Sequence, residues 1–328
     1  MLKYFASALC ASVLSVAPVT AATLSDNFSS DAGNWTGNQP AGPAFGTFPQ
    51  TPTAPPAIVS ADANSDGDFL RLKDETRRAF TTLGFDALNA DSYSRVSGSF
   101  DFRLTCEGNR TGFGGGGCAD GFAFSLLDTD TFGSTGKVAT ASGDAVISEG
   151  SDILDFSGPG INPIDGSFSV GLAIFAPPPT LNRGGVFLSD GDRANSTGSL
   201  STNIGADFPT ADLVTGVNST PGRFLTLDFD VDFESDLLSL SIIDDTTVYS
   251  LFSETDISQF GLDAYNSRLA FGTRSGDAGL FVDVDNIDLT FTSASAVAPV
   301  PVPAGLPLLL TSFGAFALMR RRRFSKTK

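Results

Sequence analysis

The chain has 328 residues, enough for one large β-sandwich or two smaller domains, and its formal net charge is −17. Seven of the 20 basic residues lie in the two ends and no acidic residue does, so the body carries 13 basic against 37 acidic residues. Charge repulsion of this size argues against nucleic acid and anionic lipid as partners of the body. The chain has no histidine, which excludes a Ser-His-Asp triad, a Cys-His pair and ordinary zinc ligation by histidine.

The first 22 residues have the organisation of a cleaved export signal. Lys3 supplies the charged start, residues 4–19 are mostly apolar, and the small residues Thr20-Ala21-Ala22 suit signal peptidase. The apolar stretch is short and broken by Ser and Pro, whereas a transmembrane helix needs about 20 apolar residues. The sequence therefore predicts an exported protein that signal peptidase cleaves after Ala22 or after Ala21.

An Asp-rich segment early in the body has the opening spacing of a calcium loop. Asp62, Asn64, Asp66 and Asp68 place side-chain oxygens at positions 1, 3, 5 and 7. Position 12, which should be a bidentate glutamate, is Lys73. Two interpretations stay open, a calcium site or an ordinary Asp/Gly turn, and Ca²⁺ is the one cofactor that the sequence suggests.

Cys106 and Cys118 are the only cysteines of the predicted mature chain, because Cys10 lies in the signal. An even number of cysteines in an exported protein favours a disulfide. This bond would close a small loop around the glycine-rich run 112–117 and stabilise it by about 2–4 kcal/mol. Two free thiols are the alternative.

Residues 23–292 contain many short runs in which apolar and polar side chains alternate, and no sustained helical period. Near the end, Val282 and Val284 are in phase but Ile287 is shifted by one position, which predicts a β-bulge at Asp285-Asn286. Strands this numerous, joined by Gly, Pro and Asp loops, predict an all-β, two-sheet jelly-roll sandwich. The clearest strands are expected at residues 98–104, 121–127, 168–174, 224–233 and 237–243, the last two forming a hairpin.

Two groups of aspartates stand out in these strands. Asp228, Asp230 and Asp232 alternate with apolar residues, so their carboxylates share one strand face about 7 Å apart. We expect this face to be solvated. Asp283, Asp285 and Asp288 form a second acidic group, for which a structural role is the simplest interpretation.

Several segments are similar, in the right order, to the concanavalin A-like (L-type lectin) superfamily. The resemblance implies that Asp120 and Gly121 form a turn whose carboxylate accepts hydrogen bonds from sugar hydroxyls. It also suggests polar contacts from Asn182 and Gly185 in a later loop. A structural Asp-Gly turn is the alternative. The similar segments are 69–72, 98–104, the Ala-Asp-Gly-aromatic turn 119–122, 268–276 and 285–287.

The chain departs from the legume-type pattern at the metal ligands. Legume-type members carry acidic Mn/Ca ligands on the next strand, whereas the corresponding stretch, 171–176, has no acidic residue. Glycoside hydrolases of this fold carry a Glu-x-Asp-x-x-Glu motif on one strand. The nearest approach, residues 234–239, lacks the second Glu. The sequence therefore predicts a non-catalytic protein in which the usual metal pair is absent.

The C-terminal end has the order of a membrane-sorting tail. Residues 293–319 carry no charge and four arginines follow at once. After a linker at 293–299, residues 305–319 are expected to span the membrane, with the basic end in the cytoplasm. The domain order is thus a signal at 1–22, a sandwich at 23–292, the linker, and a tail at 300–328.

Val300-Pro301-Val302-Pro303-Ala304, followed by the span and the arginines, resembles the VPLPA-type variant of PEP-CTERM tails, with Val302 in place of the usual Leu. The resemblance implies that an exosortase is a partner during export. It also implies a membrane-anchored stage followed by display at, or release from, the bacterial cell surface. A plain C-terminal anchor is the alternative.

These features predict an exported, non-catalytic surface protein that binds a glycan or exopolysaccharide. The rival hypothesis is a structural surface or matrix protein without a saccharide site. A glycoside hydrolase is the third and weakest hypothesis.

Overall fold

The structure is a computed structural model, and the residues it describes all belong to one compact unit, Thr20–Ala294. Most of the predicted signal and the whole predicted tail, including the sorting motif Val300–Ala304 and the span 305–319, lie outside the described residues. Among the residues that are described, no helix is long and apolar enough to cross a membrane. The described residues are 20–30, 33–39, 53–108, 121–140, 143–144, 147, 166–174, 185–189, 200–202, 213–276 and 278–294.

The described strands form two large sheets and one short hairpin. The nine-stranded sheet contains β1 (Ala21–Asp26), β3 (Ala57–Val59), β4 (Phe69–Lys73), β6 (Tyr93–Cys106), β13 (Val214–Gly216), β14 (Leu225–Asp232), β15 (Leu237–Asp244), β16 (Thr247–Asp256) and β18 (Leu280–Ser293). The seven-stranded sheet contains β2 (Trp35–Asn38), β5 (Ala79–Phe85), β7 (Gly121–Asp128), β10 (Phe168–Ala173), β11 (Gly185–Ser189), β12 (Leu200–Thr202) and β17 (Ser267–Ser275). The smaller elements are β8 (Ala139–Thr140), β9 (Gly143–Asp144), α1 (Thr129–Phe132) and a 3₁₀ helix (Ser258–Phe260).

The order of the strands explains the edges of the sandwich. The path through the nine-stranded sheet is β16-β15-β14-β6-β18-β4-β3, with β1 on β18 and β13 on β6. The path through the seven-stranded sheet is β12-β11-β10-β7-β17-β5-β2. Described pairings are antiparallel apart from β13 with β6. Strand β3 therefore lies at one edge of the nine-stranded sheet, and β2 lies at one edge of the seven-stranded sheet.

The alternating sequence pattern produces the core between the two sheets. In β14 the side chains of Leu225, Leu227, Phe229 and Val231 are buried, while the residues between them face outwards. Aromatic rings from the two sheets meet in the middle, with Phe100 of β6 and Phe124 of β7 at 5.4 Å between ring centroids. Each fully buried phenylalanine contributes about 2–3 kcal/mol through loss of apolar surface from water.

The predicted strands at 98–104, 121–127, 168–174, 224–233 and 237–243 are confirmed as β6, β7, β10, β14 and β15. β14 and β15 pair as the predicted hairpin, from Thr226 opposite Ile243 to Asp232 opposite Leu237. The all-β, two-sheet sandwich is therefore confirmed for the described part of the chain. The sequence pattern did not predict β16, whose side chains are largely exposed and do not alternate.

The predicted β-bulge at Asp285-Asn286 is also confirmed. Asp285 lies opposite Asp101 and Asp288 lies opposite Ser99, so β18 has one residue more than β6 over this interval. Asn286 adopts a φ of 47°, as the extra residue of a bulge often does. On β6, a β-carbon at Gly98 would overlap the carbonyl oxygen of Asp288, and its φ of 140° is unfavourable for other residues.

β1 contains the predicted cleavage point. Ala21 and Ala22 pair with Thr292 and Phe291 of β18, and the pairing continues to Asp26 opposite Ile287. Cleavage after Ala22 would therefore remove the first two residues of β1 and leave Thr23–Asp26 available to pair. The cleavage position itself stays a prediction.

Candidate functional site

Two of the predicted glycan-binding residues lie at one end of the seven-stranded sheet. Gly121 begins β7 and lies opposite Ala173 of β10, and Ala173 lies opposite Gly185, which begins β11. Because neighbouring strands are about 4.8 Å apart, the backbones of the two glycines are about 10 Å from each other. Asp120 and Asn182 lie outside the described residues, so their positions stay predictions. Asp120 directly precedes Gly121 in the sequence.

The backbone at Gly121 is firmly held. It pairs with Arg274 of β17, and the Thr273 hydroxyl donates a 2.9 Å hydrogen bond to the Gly121 carbonyl oxygen. Gly121 and Thr273 are both buried. A rigid strand end is the kind of support that a binding residue in the adjoining turn requires.

Cys106, at the end of β6, is buried and does not carry a free thiol. Its predicted partner Cys118 lies outside the described residues. The pairing of Cys106 with Cys118 therefore stays a prediction.

The first residue of the predicted calcium loop has a protein partner. The Asp62 carboxylate forms an ion pair with Arg103, with 2.9 Å between Oδ2 and Nη2, and it accepts the Asn64 backbone N–H at 2.8 Å. Burial acts to raise the pKa of Asp62, but the hydrogen bonds from Arg103 and Asn64 and the positive charge of Arg103 hold it below its ordinary value. Arg103 is thus already paired with the carboxylate that would be the first calcium ligand.

The other predicted calcium ligands are also tied to the protein, apart from the exposed Asp66. The Asn64 side-chain amide donates to the Pro221 carbonyl oxygen at 3.0 Å, and Asp68 Oδ1 accepts the Ala61 N–H at 3.0 Å. In the part of the chain that the structure describes, no group of three or more Asp, Glu, Cys or His side chains is placed to hold a metal ion. Calcium binding stays a prediction, and the geometry favours the alternative of an ordinary turn.

Arg103 belongs to a buried ionic cluster on the outer face of the nine-stranded sheet. Its guanidinium group donates to Asp283 Oδ2 at 2.8 and 3.0 Å and lies 4.6 and 4.5 Å from the ring centroids of Phe69 and Phe224. Arg71 Nε donates to the other Asp283 oxygen at 2.8 Å. The Arg103 side chain is fully buried and that of Asp283 is 1% exposed. Asp283 therefore has a structural role, as the sequence suggested.

Asp285, two residues further along β18, has no such cation beside it among the described residues. It is 3% exposed, and Oδ1 accepts the Asn286 backbone N–H at 2.8 Å. Burial raises its pKa to about 6, and the negative charges of Asp101, Asp66 and Asp26 add to the shift, against the lowering effect of the Asn286 N–H. The ionised form of Asp285 is therefore unfavourable in the folded protein.

The Asp228/Asp230/Asp232 face is mostly occupied by local interactions. Asp230 pairs with Arg95, whose Nε lies 2.7 Å from Oδ1, and Asp232 accepts the backbone N–H groups of Glu234 and Ser235 in the hairpin turn. Asp228 is exposed, although partial burial and the charge of Asp230 raise its pKa. The contacts account for Asp230 and Asp232, and Asp228 faces solvent as expected.

The segment nearest to the glycoside hydrolase motif does not lie on one strand. Glu234 and Asp236 are in the turn between β14 and β15, whereas Leu237 begins β15. The two carboxylates therefore lack the shared strand on which the motif depends.

A cleft that sequence analysis missed lies where the two sheets end side by side. It has a volume of about 480 Å³ and contacts both edge strands, through Trp35 of β2 and through Ala57 and Ile58 of β3. The cleft combines aromatic and aliphatic walls with a carboxylate and two hydroxyl groups. Its described lining consists of Phe28, Ser29, Ser30, Trp35, Pro56, Ala57, Ile58 and Asp68.

Trp35 is the chain's only tryptophan, and the structure holds it tightly. Its indole packs against the edge of the core and so close to Gly33 that a β-carbon on that residue would overlap the indole nitrogen. Within the described structure, the buried Nε1–H of Trp35 has no hydrogen-bond partner. A buried donor without an acceptor is uncommon and calls for a specific explanation. The chain's single tryptophan, two residues after Gly33, was a residue that could have drawn attention to this segment, although no local pattern marks the cleft.

No family model and no curated protein matches the chain. Solved structures of legume lectins are similar to it in fold. Peanut lectin is 12% identical, with 85% of this chain and 100% of that chain covered and a TM-score of 0.47. Basic winged bean lectin with Tn-antigen is 10% identical, with 84% and 99% covered and a TM-score of 0.49. The lectin from Bauhinia forficata in complex with GalNAc is 14% identical, with the same coverage and a TM-score of 0.42. At this level of identity the likeness concerns the fold alone.

Proposed function

We propose that this chain is an exported, non-catalytic surface protein whose sandwich binds a glycan at the end of the seven-stranded sheet. The observation that carries the proposal is the row Gly121–Ala173–Gly185, which puts two separately predicted site residues on either side of one strand. Asp120 would supply an acceptor-only carboxylate for sugar hydroxyls, and Asn182 an amide that can both donate and accept.

The strong negative charge of the body limits the charge class of the glycan that it can bind. With 13 basic against 37 acidic residues outside the two ends, the protein repels polyanions. A neutral polysaccharide suits the site better than a uronic-acid or sulfated polymer.

The export route belongs to the same proposal. Signal peptidase cuts after Ala22, and an exosortase recognises Val300–Ala304 while the segment 305–319 anchors the chain in the membrane. The protein then reaches the cell surface or the extracellular space. A disulfide between Cys106 and Cys118 fits that oxidising route and would steady the residues just before Asp120.

A glycan-array screen of the full chain with its cysteines oxidised tests the proposal, first with calcium and then with a chelator. Saturable binding that Asp120→Ala abolishes is the expected result. Asp130→Ala is the matched control, because Asp130 is exposed in α1 at the opposite end of β7 and should bind like the parent protein. Loss of binding in chelator would support a calcium site.

The rival hypothesis predicts a different outcome. A folded protein that binds no glycan under either condition would be a structural surface component. Hydrolysis of a polysaccharide by the purified protein would contradict the non-catalytic proposal and favour the third hypothesis.

A further inference from the structure

We infer that the cleft between the edge strands β2 and β3 is a second saccharide site. The inference rests on the proposed function for its class of ligand, a neutral sugar. Its position is independent of that proposal, since none of the lining residues belongs to the Gly121–Gly185 end of the sheet.

The lining of the cleft offers both kinds of contact that a pyranose ring makes. A sugar ring has a face of C–H groups and a rim of hydroxyl groups, so it needs apolar contact on one side and hydrogen-bond partners on the other. The partly buried side chains of Trp35 and Ile58 offer the apolar contact. Asp68, Ser29 and Ser30 offer oxygen atoms. Ligand sites of about 300–1,000 Å³ with few polar groups on apolar walls are the usual form, and 480 Å³ lies in this range.

The Asp68 carboxylate is held in place by one hydrogen bond and can still accept others. Oδ1 accepts the Ala61 N–H at 3.0 Å, which fixes the side chain beside the cleft, and Oδ2 has no partner among the described residues. Asp68 is partly exposed, so a ligand hydroxyl can reach it. Ser29 also lines the cleft, and its hydroxyl donates to Asn27 Oδ1 at 2.8 Å, which leaves its lone pairs free to accept.

Trp35 makes the cleft rigid before any ligand arrives. The absence of a side chain at Gly33 lets the indole lie directly against the backbone, and Trp35 also packs against the hydrophobic core. The unpartnered Nε1–H is a cost that the fold accepts at this position, as it does at several other buried polar atoms of the described structure. A preformed aromatic wall lowers the entropy lost when a ligand binds.

The cleft is distant from the proposed glycan site. Trp35 lies opposite Phe85 of β5, near the level of Leu126 on β7 rather than of Gly121, and β2 is three strands away from β7. With strands about 4.8 Å apart and a rise of about 3.3 Å per residue, Trp35 and Gly121 are about 20 Å apart. One monosaccharide cannot contact both sites.

The fluorescence of Trp35 tests the inference directly, because no other tryptophan contributes. The full chain, kept in a detergent without a sugar headgroup, is titrated with neutral monosaccharides and with any oligosaccharide that is positive on the array. We expect a saturable change in Trp35 emission. Asp68→Asn should lower the sugar affinity measured from this response about tenfold. The substitution keeps the acceptor for the Ala61 N–H but removes the charge that strengthens a sugar hydrogen bond.

Two further variants keep the test decisive. Asp66→Asn is the matched control, because Asp66 is exposed in the same loop and does not line the cleft, so its response should equal that of the parent. Ala57→Leu places a larger side chain into the cleft from an exposed position on β3 and should abolish the response without unfolding the protein. Equal weakening by Asp66→Asn and Asp68→Asn, or unchanged binding in Ala57→Leu, would overturn the inference.

Asp120→Ala distinguishes failure of this inference from failure of the proposed function. A Trp35 response that survives Asp120→Ala supports a separate cleft site. Binding on the array without any change in Trp35 emission would refute the cleft site and leave the proposed function standing. A Trp35 response that Asp120→Ala abolishes would do the same. A Trp35 response together with array binding that Asp120→Ala does not change supports the cleft and contradicts the proposed glycan site. No response in either assay overturns both.

Discussion

Replacing Asp285 by Asn is expected to raise the free energy of unfolding at neutral pH. The substitution keeps the side-chain volume and an oxygen that can accept the Asn286 N–H, which lies 2.8 Å from Oδ1 of Asp285 in the parent protein. It removes a charge that is 3% exposed and has the carboxylates of Asp101, Asp66 and Asp26 around it. The ion pair that stabilises Asp283 has no counterpart here among the described residues.

The pH dependence follows from the direction of the shift. Asp285 has a pKa of about 6 in the folded protein against an ordinary value of 3.8. Between these values the folded state binds more protons than the unfolded state, so stability falls as pH rises through this window and stays lower above it. A difference of about two pKa units corresponds to about 3 kcal/mol in the free energy of unfolding. This value is an upper bound, because solvent near the exposed Asp66 screens part of the repulsion.

Urea denaturation of the parent and of Asp285→Asn at about pH 4 and about pH 8 measures the effect. The variant should gain up to about 3 kcal/mol at the higher pH and little at the lower pH. Asp288→Asn is the matched control, because it removes the same charge from an exposed position of the same bulge. An equal gain in both variants, or a loss in Asp285→Asn, would refute the reasoning.

Three further predictions concern stability. Arg103→Met should lower the free energy of unfolding by about 3–5 kcal/mol, because the 1% exposed Asp283 would lose its main partner; a loss below about 1 kcal/mol in urea denaturation would contradict this. Gly98→Ala should cost about 2 kcal/mol or more because its β-carbon meets the neighbouring strand, whereas Gly67→Ala, which points into open space, should be nearly neutral in the same assay. Reducing the predicted Cys106–Cys118 disulfide should lower stability by about 2–4 kcal/mol, and mass spectrometry should find alkylation of Cys106 only after reduction and unfolding.

The sequence predicted the strands well where one side faces the core. In β14, β6 and β18 the alternation of apolar and polar residues is local information, and even the bulge at Asp285-Asn286 is visible as a slip of one position. β16 was missed because it lies at an edge of its sheet with few buried side chains, so no alternation records it. β1 was hidden because its first residues were assigned to the export signal.

The sites were harder to predict because their partners come from distant parts of the chain. Asp62 has the spacing of a calcium ligand, yet its partner is Arg103, 41 residues away and brought to it by the position of β6 in the sheet. The cleft joins Phe28, Trp35, Ile58 and Asp68 from separate segments. Neither arrangement leaves a local pattern in the sequence.

The pair Asp283 and Asp285 shows most clearly what strand register adds to a motif. Both aspartates point from β18 to the same outer face, and both are buried. Asp283 lies opposite Arg103 on β6 and opposite Arg71 on β4, whereas Asp285 lies opposite Asp101. Two residues apart on one strand, Asp283 has its charge neutralised by arginines, whereas ionisation of Asp285 is unfavourable in the folded protein. An Asp-x-Asp motif alone gives no sign of this difference, because it depends on which residues the neighbouring strands place at each level.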